Sequence, residues 1–298
     1  MKRNALLVLA GLLIGALVSA DTRQQVETLG QVVGTNTQAV ETNTQAIEHF
    51  DRGVENQQQG RFDLAIEEYT EAIALDPQLA LAYYNRGNAY YFKGDLDRAI
   101  SDYDRAIALD PQLALAYSNR GFAYYGKGDL DRAIADYDRA IALDPQDAAA
   151  YSNRGFAYYF KSDLDRAIAD YDQAIALDPQ LALAYYNRGN AYYGKGDLDR
   201  AIADYDQAVA LDPQDAAAYS NRGNAYYGKG DLDRAIADYD QAIALDPQDA
   251  AAYSNRGNAY YFKDDLDRAI ADLERAIELG LDAEAKQYAE GLLEELGQ

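Results

Sequence analysis

The sequence predicts an all-α solenoid of stacked helical units, on three observations. The six prolines, Pro77, Pro111, Pro145, Pro179, Pro213 and Pro247, follow one another at intervals of 34 residues, and there are no others. A fixed period of that length marks repeated helical hairpins. Each period carries two apolar stripes at the i, i+3/i+4, i+7 spacing of amphipathic helices. Between the stripes stands a Gly-Asp or similar pair, which ends one helix and begins the next. Such a chain offers a long, regular binding surface.

Residues 1–20 differ from the repeats. Lys2 and Arg3 precede an apolar run from Ala5 to Val18, and Val18 and Ala20 are the small residues expected before a cleavage point. This is the pattern of an export signal, and the run is shorter than the ~20 residues that cross a bilayer core. The mature chain is therefore expected in the periplasm or outside the cell, with no membrane span after cleavage. With no Cys in the chain, lipid attachment, disulfides and thiolate metal sites are excluded.

Residues 21–45 form a second segment. Val26, Val33, Val40 and Ile47 recur every seven residues, and Leu29, Asn36, Asn43 and Phe50 follow each by three. That is an a/d seam with Asn in two of its d layers. The near-repeat of Thr35–Glu41 as Thr42–Glu48 resembles the stalks of trimeric autotransporter adhesins. The resemblance implies a homotrimer through residues 21–50, with anion-holding rings of Asn36 and Asn43. Gly30 and Gly34 each weaken a helix by ~1 kcal/mol relative to Ala. A linker helix continuous with the first repeat is the other reading.

The period itself fills residues 46–283, in units beginning at Ala46, Ala80, Ala114, Ala148, Ala182, Ala216 and Ala250. In the unit from Ala80, Tyr83, Gly87 and Tyr90 mark the core stripe of a first helix. Leu96, Ala99, Ile100, Tyr103, Ala106 and Ile107 mark that of a second. Gly94 ends the first helix, Asp95 caps the second, and Asp110-Pro111 stops it. Residues 284–298 add a last helix, with Tyr288, Leu292 and Leu296 on the face that covers the final unit.

Tyr83, Gly87, Tyr90, Ala99, Tyr103, Ala106 and Pro111 together resemble the tetratricopeptide repeat. The resemblance implies antiparallel helix pairs wound into a right-handed superhelix, with the first helices lining a concave groove. Arg86 departs from the family's Leu, as do Arg120, Arg154, Arg188, Arg222 and Arg256. Sixteen residues after each stands an acid, Asp102, Asp136, Asp170, Asp204, Asp238 and Asp272, and the first unit keeps the pair as Arg52 and Glu68. A salt bridge between the two helices of every unit is expected.

The remaining first-helix residues assemble the candidate groove. Tyr91, Tyr125, Tyr159, Tyr193, Tyr227 and Tyr261 lie one residue beyond the core stripe. Asn85, Asn119, Asn153, Asn187, Asn221 and Asn255 recur once per unit on their face, joined by Asn88, Asn190, Asn224 and Asn258, and by Tyr84 and Tyr186. An amide both donates and accepts, so a row of them can pair with an extended peptide backbone. The row resembles the asparagine ladder of O-linked N-acetylglucosamine transferases. Unit-to-unit differences fall at the places of Leu81, Tyr84, Asn88 and Phe92, one helical stripe. Phe92, Phe122, Phe156 and Phe160 make the earlier half aromatic, whereas Asn190, Gly194, Asn224 and Gly228 make the later half open and polar. Phe262 returns a ring at the end. The lysines of a carboxylate clamp are not there: their places hold Tyr84, Ser118 or Leu115.

Function classes narrow accordingly. A formal charge of −23 argues against nucleic acid and anionic membranes. Nearly every Asp of the repeats recurs with the period, and no Ser or carboxylate dyad breaks the repeat pattern around the lone His49. No catalytic residue, metal site or cofactor is expected. The reading is an exported, non-enzymatic scaffold that binds a peptide or protein partner in its groove. The competing reading is a spacer or filament subunit, stacked end to end.

Overall fold

Each apolar stripe becomes one helix. The computed structural model describes residues 37–297, and fifteen helices lie among them. They are α1 (Thr37–Gln58), α2 (Phe62–Leu75), α3 (Ala80–Phe92), α4 (Leu96–Leu109), α5 (Ala114–Gly126), α6 (Leu130–Leu143), α7 (Ala148–Phe160) and α8 (Leu164–Leu177). They continue as α9 (Ala182–Gly194), α10 (Leu198–Leu211), α11 (Ala216–Gly228), α12 (Leu232–Leu245), α13 (Ala250–Phe262), α14 (Leu266–Leu279) and α15 (Ala283–Glu295). Odd-numbered helices are the first, or A, helices of each pair, and even-numbered ones the B helices. The chain divides into two bodies, residues 1–145 and 146–298. Within each, every helix packs on the next in sequence.

The punctuation works as its chemistry dictates. Gly94, Gly128, Gly196 and Gly230 sit at φ between +76° and +79°, the left-handed region that ends a helix. Ser162 and Asp264 take the same turn at φ 61° without glycine's freedom. The carboxylates of Asp95, Asp129, Asp163, Asp197 and Asp231 each accept the backbone N–H three residues on. Asp110 and its counterparts close the B helices and accept the N–H of the residue after the proline, as Gln112 to Asp110 at 2.9 Å.

The core is small residues packed around one ring per unit. Ala82, Ala89, Ala99 and Ala106 are fully buried, as are their counterparts, and Tyr69, Tyr103, Tyr137, Tyr171, Tyr205 and Tyr239 are at most 1% exposed. Gly87 is required by this ring: a Cβ there would stand 2.8 Å from Tyr103 Cε1.

The Arg–acid pairs form in all seven units. Arg222 donates from Nε to Asp238 Oδ2 at 2.8 Å and from Nη2 to Asp238 Oδ1 at 2.6 Å, and the other units repeat this. Arg52 meets Glu68 at 3.0 Å, and His49 Nδ1 lies 2.7 Å from the same carboxylate. A second arm reaches back one unit: Arg120 to Asp104, Arg188 to Asp172, Arg222 to Asp206 and Arg256 to Asp240, at 2.5–2.7 Å. The carboxylates hold the guanidinium of Arg222 above its ordinary pKa against the opposing effect of burial.

Three expectations are corrected. Tyr83 and its counterparts are half-buried rather than core, because each lies under a guanidinium: Arg86 and Arg105 stand 5.7 and 5.8 Å from the Tyr83 ring. Of the stripe through Tyr90, Tyr192, Tyr226 and Tyr260 are buried as expected, whereas Tyr90, Tyr124 and Tyr158 are half-buried, with Arg98 standing 4.5 Å from the Tyr90 ring. In α15, Leu292 is buried but Tyr288 is 51% exposed, so the cap closes on Ala289 and Leu292. Of the coil, α1 runs without a break from the heptad segment through Ala46 into the first repeat, and Asn43 is exposed on it. The export signal, residues 21–36 and Asn36 lie outside the described residues. Among the described residues no helix is long and apolar enough to cross a membrane.

Candidate functional site: the inner face of the A helices

Successive A helices touch one another, α1 with α3 and α3 with α5 in the first body, α7 through α13 in the second, whereas successive B helices stand farther apart. Closer spacing on one side curves each body, and the A helices take its inner face. The candidate residues lie on these helices, but at two depths.

The deeper layer is a polar ladder between units. Asn88 Oδ1 accepts from Tyr103 OH and from Asn119 Nδ2, both at 2.8 Å, and Asn119 Nδ2 also donates to Tyr84 OH at 3.0 Å. The second body repeats this. Asn190 Oδ1 accepts from Tyr205 OH at 2.8 Å and Asn221 Nδ2 at 2.9 Å, and Asn221 also donates to Tyr186 OH. One rung on, Asn224 Oδ1 accepts from Tyr239 OH at 2.8 Å and Asn255 Nδ2 at 3.0 Å. Burial pushes the Tyr205 and Tyr239 phenols well up, so they remain O–H donors at any physiological pH.

This changes how the asparagine row reads. Tyr84, Asn85, Asn88 and Asn187 are buried, at 3–8% exposure, and offer no open surface. A carboxamide has two N–H groups, and Asn119 and Asn221 spend both within the chain. The row therefore stitches units together first. Asn119, Asn153, Asn221 and Asn255 stay half-buried. The variable places at Tyr84 and Asn88 also take a new meaning, because a Tyr there bonds the next unit's Asn.

The outer layer is aromatic. In the first body, Phe92 stacks on Phe62 with centroids 5.0 Å apart, and Phe122 lies between Tyr91 at 5.4 Å and Tyr125 at 6.2 Å. Burial, then the neighbouring Tyr125, pushes the Tyr91 phenol up to about 12. In the second body, Phe160 packs edge-on against Phe156 and Tyr159 yet remains 53% exposed. Phe262 meets Tyr227 and Tyr261, is 60% exposed, and ends the row.

Between these rings the second body holds a concavity of about 290 Å³, lined by Tyr193, Asn224, Tyr227, Tyr239, Asn255 and Asn258. Five of the six stand on A helices and are among the residues predicted from sequence, and the sixth, Tyr239, reaches in from α12. Tyr239 was expected only in the core; its ring is buried while its hydroxyl reaches the ladder. The lining is neutral, with phenols and carboxamides and no carboxylate, lysine or imidazole. It can hold a ligand by hydrogen bonds and ring contacts, and it presents no nucleophile or general base. Among the described residues no cluster of His or acids could hold a metal ion.

Comparison with known proteins agrees with this architecture. The profile of the TPR repeat matches residues 57–94, 87–128, 124–161, 159–196, 189–230 and 223–264, and that of the tetratricopeptide repeat matches 250–280. No curated protein matches the chain. Among solved structures, YrrB, a TPR protein with an unusual peptide-binding site, is 26% identical with a TM-score of 0.54, over 63% of this chain and 97% of that one. MamA is 32% identical with a TM-score of 0.51, over 55% of this chain and 96% of its own. A tetratricopeptide-repeat protein from Parabacteroides merdae, 20% identical, shares the fold over 83% of this chain and 97% of its own, with a TM-score of 0.64. Helix pairs, period and profile thus converge, and the chain belongs to the tetratricopeptide-repeat family.

Proposed function

We propose that the chain is a non-enzymatic scaffold that holds an extended peptide or protein segment against its A helices. The observation that carries this is the neutral Tyr/Asn concavity on the inner face, lined by the exposed ring of Tyr193 and bordered by that of Phe262 against Tyr227. Phenols and half-buried carboxamides suit a backbone that offers N–H groups at regular intervals, and the rings suit apolar side chains between them. The 26% identity to YrrB, a protein with a peptide-binding site, supports the same reading. The outer face of α15 is exposed and carries Glu284, Lys286, Glu290 and Glu294, which disfavours end-to-end stacking at that terminus.

Panning a random dodecamer peptide library on the full chain tests the proposal, followed by calorimetry of the recovered peptides. A variant with Phe156, Tyr193 and Tyr227 all changed to Ala should bind them more weakly by at least ~2 kcal/mol, and Phe156→Ala alone by ~1–3 kcal/mol. Equal affinity of the triple variant would remove the groove from consideration.

A further inference from the structure

The polar ladder of the second body stops one rung short. Each earlier Asn of this series takes an O–H from the Tyr fifteen residues on and an N–H from the Asn thirty-one residues on, as Asn190 does from Tyr205 and Asn221. For Asn258 those two places hold Leu273 and Ala289, both fully buried and neither a side-chain donor. Among the described residues no donor meets Asn258 Oδ1, which is buried. A buried acceptor without a donor is destabilising, and an apolar residue here would fold at lower cost. Asn258 nevertheless stands there, half-buried and lining the concavity.

Building on the groove reading above, we propose that this last rung is a subsite for a carboxamide side chain, Asn or Gln, of the bound peptide. The chain itself shows the fit: at Asn88, Asn190 and Asn224 the incoming donor is the Nδ2 of an Asn carboxamide. Rotation about χ2 turns the Asn258 oxygen toward the concavity, where a guest N–H completes the rung. The guest's own carbonyl then faces the phenols of Tyr193 and Tyr227. A second copy of this chain is a poorer occupant. The residue of its first unit at the donor's place is Asp51, a carboxylate that would meet the oxygen with like polarity.

The test is parallel panning of the dodecamer library on the full chain and on its Asn258→Leu variant. Asn and Gln should be enriched in the peptides from the unchanged chain and not in those from the variant. The Asn258→Leu chain should bind the first pool about fivefold more weakly, the loss of one hydrogen bond. Amides of α13 and α14 should be equally or better protected from native-state hydrogen exchange in it, whereas loss of a merely structural Asn258 would leave them less protected. Leu273→Tyr, which supplies the missing O–H from within, should erase the same preference. Peptides recovered without Asn or Gln enrichment, or with equal enrichment on both chains, overturn the subsite and leave the groove reading standing. No peptide recovered from either chain overturns both.

Discussion

Arg222 should be worth several kilocalories to its own repeat, nearly all of it through one of its two carboxylates. Its bidentate partner Asp238 has a side chain only 8% exposed, and Arg222 itself is 17% exposed. Charge centres about 4 Å apart attract by roughly 4 kcal/mol at an effective dielectric of about 20. Removing the guanidinium leaves Asp238 buried with both oxygens unmatched, so Arg222→Met should cost ~3–5 kcal/mol. The other arm ends on Asp206, 48% exposed, where solvent screens the pair, and Asp206→Ala should cost no more than ~1 kcal/mol. Replacing both buried charges together, Arg222→Met with Asp238→Leu, should return stability to within ~1 kcal/mol of the starting chain or above it. Because a repeat array melts locally, the assay is native-state hydrogen exchange of amides in α11 and α12 rather than a global melt. The reasoning fails if each single change costs less than ~1 kcal/mol and the double change equals their sum.

Two further outcomes follow from local geometry. The N-terminal aspartates Asp95, Asp129, Asp163, Asp197, Asp231 and Asp265 are held below their ordinary pKa by hydrogen bonds from the Arg three residues on. A depressed folded pKa gives stability that is present above the unfolded value of 3.8 and lost as pH falls through the folded one. Helicity followed by circular dichroism should therefore hold from pH 7 to about 4 and decline below it. Separately, a Cβ on Gly223 would stand 2.7 Å from Tyr239 Cε1, so Gly223→Ala should destabilise α11 and α12 by ~1–3 kcal/mol in urea titrations.

The helix ends were legible because single residue types enforce them. Proline cannot continue a B helix, Gly94 takes a left-handed φ, and Asp95 caps, and all of these recur with the period. The Arg–acid pairs were legible because a fixed spacing of sixteen residues joins two facing helices. The faces of the A helices were harder to separate. Within each body an A helix such as α3 or α11 is covered by its own B helix, by the preceding B helix and by the neighbouring A helices, so little of its circumference is plainly outside. Adjacent tyrosines such as Tyr83 and Tyr84 then look alike in sequence. The first is roofed by arginines and the second is bonded within the ladder. The ladder left its own trace, a Tyr or Asn paired with an Asn one unit on, which a search for contacts across units rather than within one would have found.

The backward-reaching arm of each arginine has a consequence for the length of the array. Arg222 meets Asp206 of the unit before it just as Arg188 meets Asp172 and Arg256 meets Asp240, so these three joints of the second body share one ionic pattern. Excising residues 182–215 would bring Asp172 opposite Arg222 and renew that ion pair, whereas a cut one residue longer or shorter would put every later side chain out of phase. At the level of these ion pairs, whole repeats are thus interchangeable. The reach of the inner face, and with it the span of any strand laid along it, can be reset in steps of one unit while the arginine joints are kept.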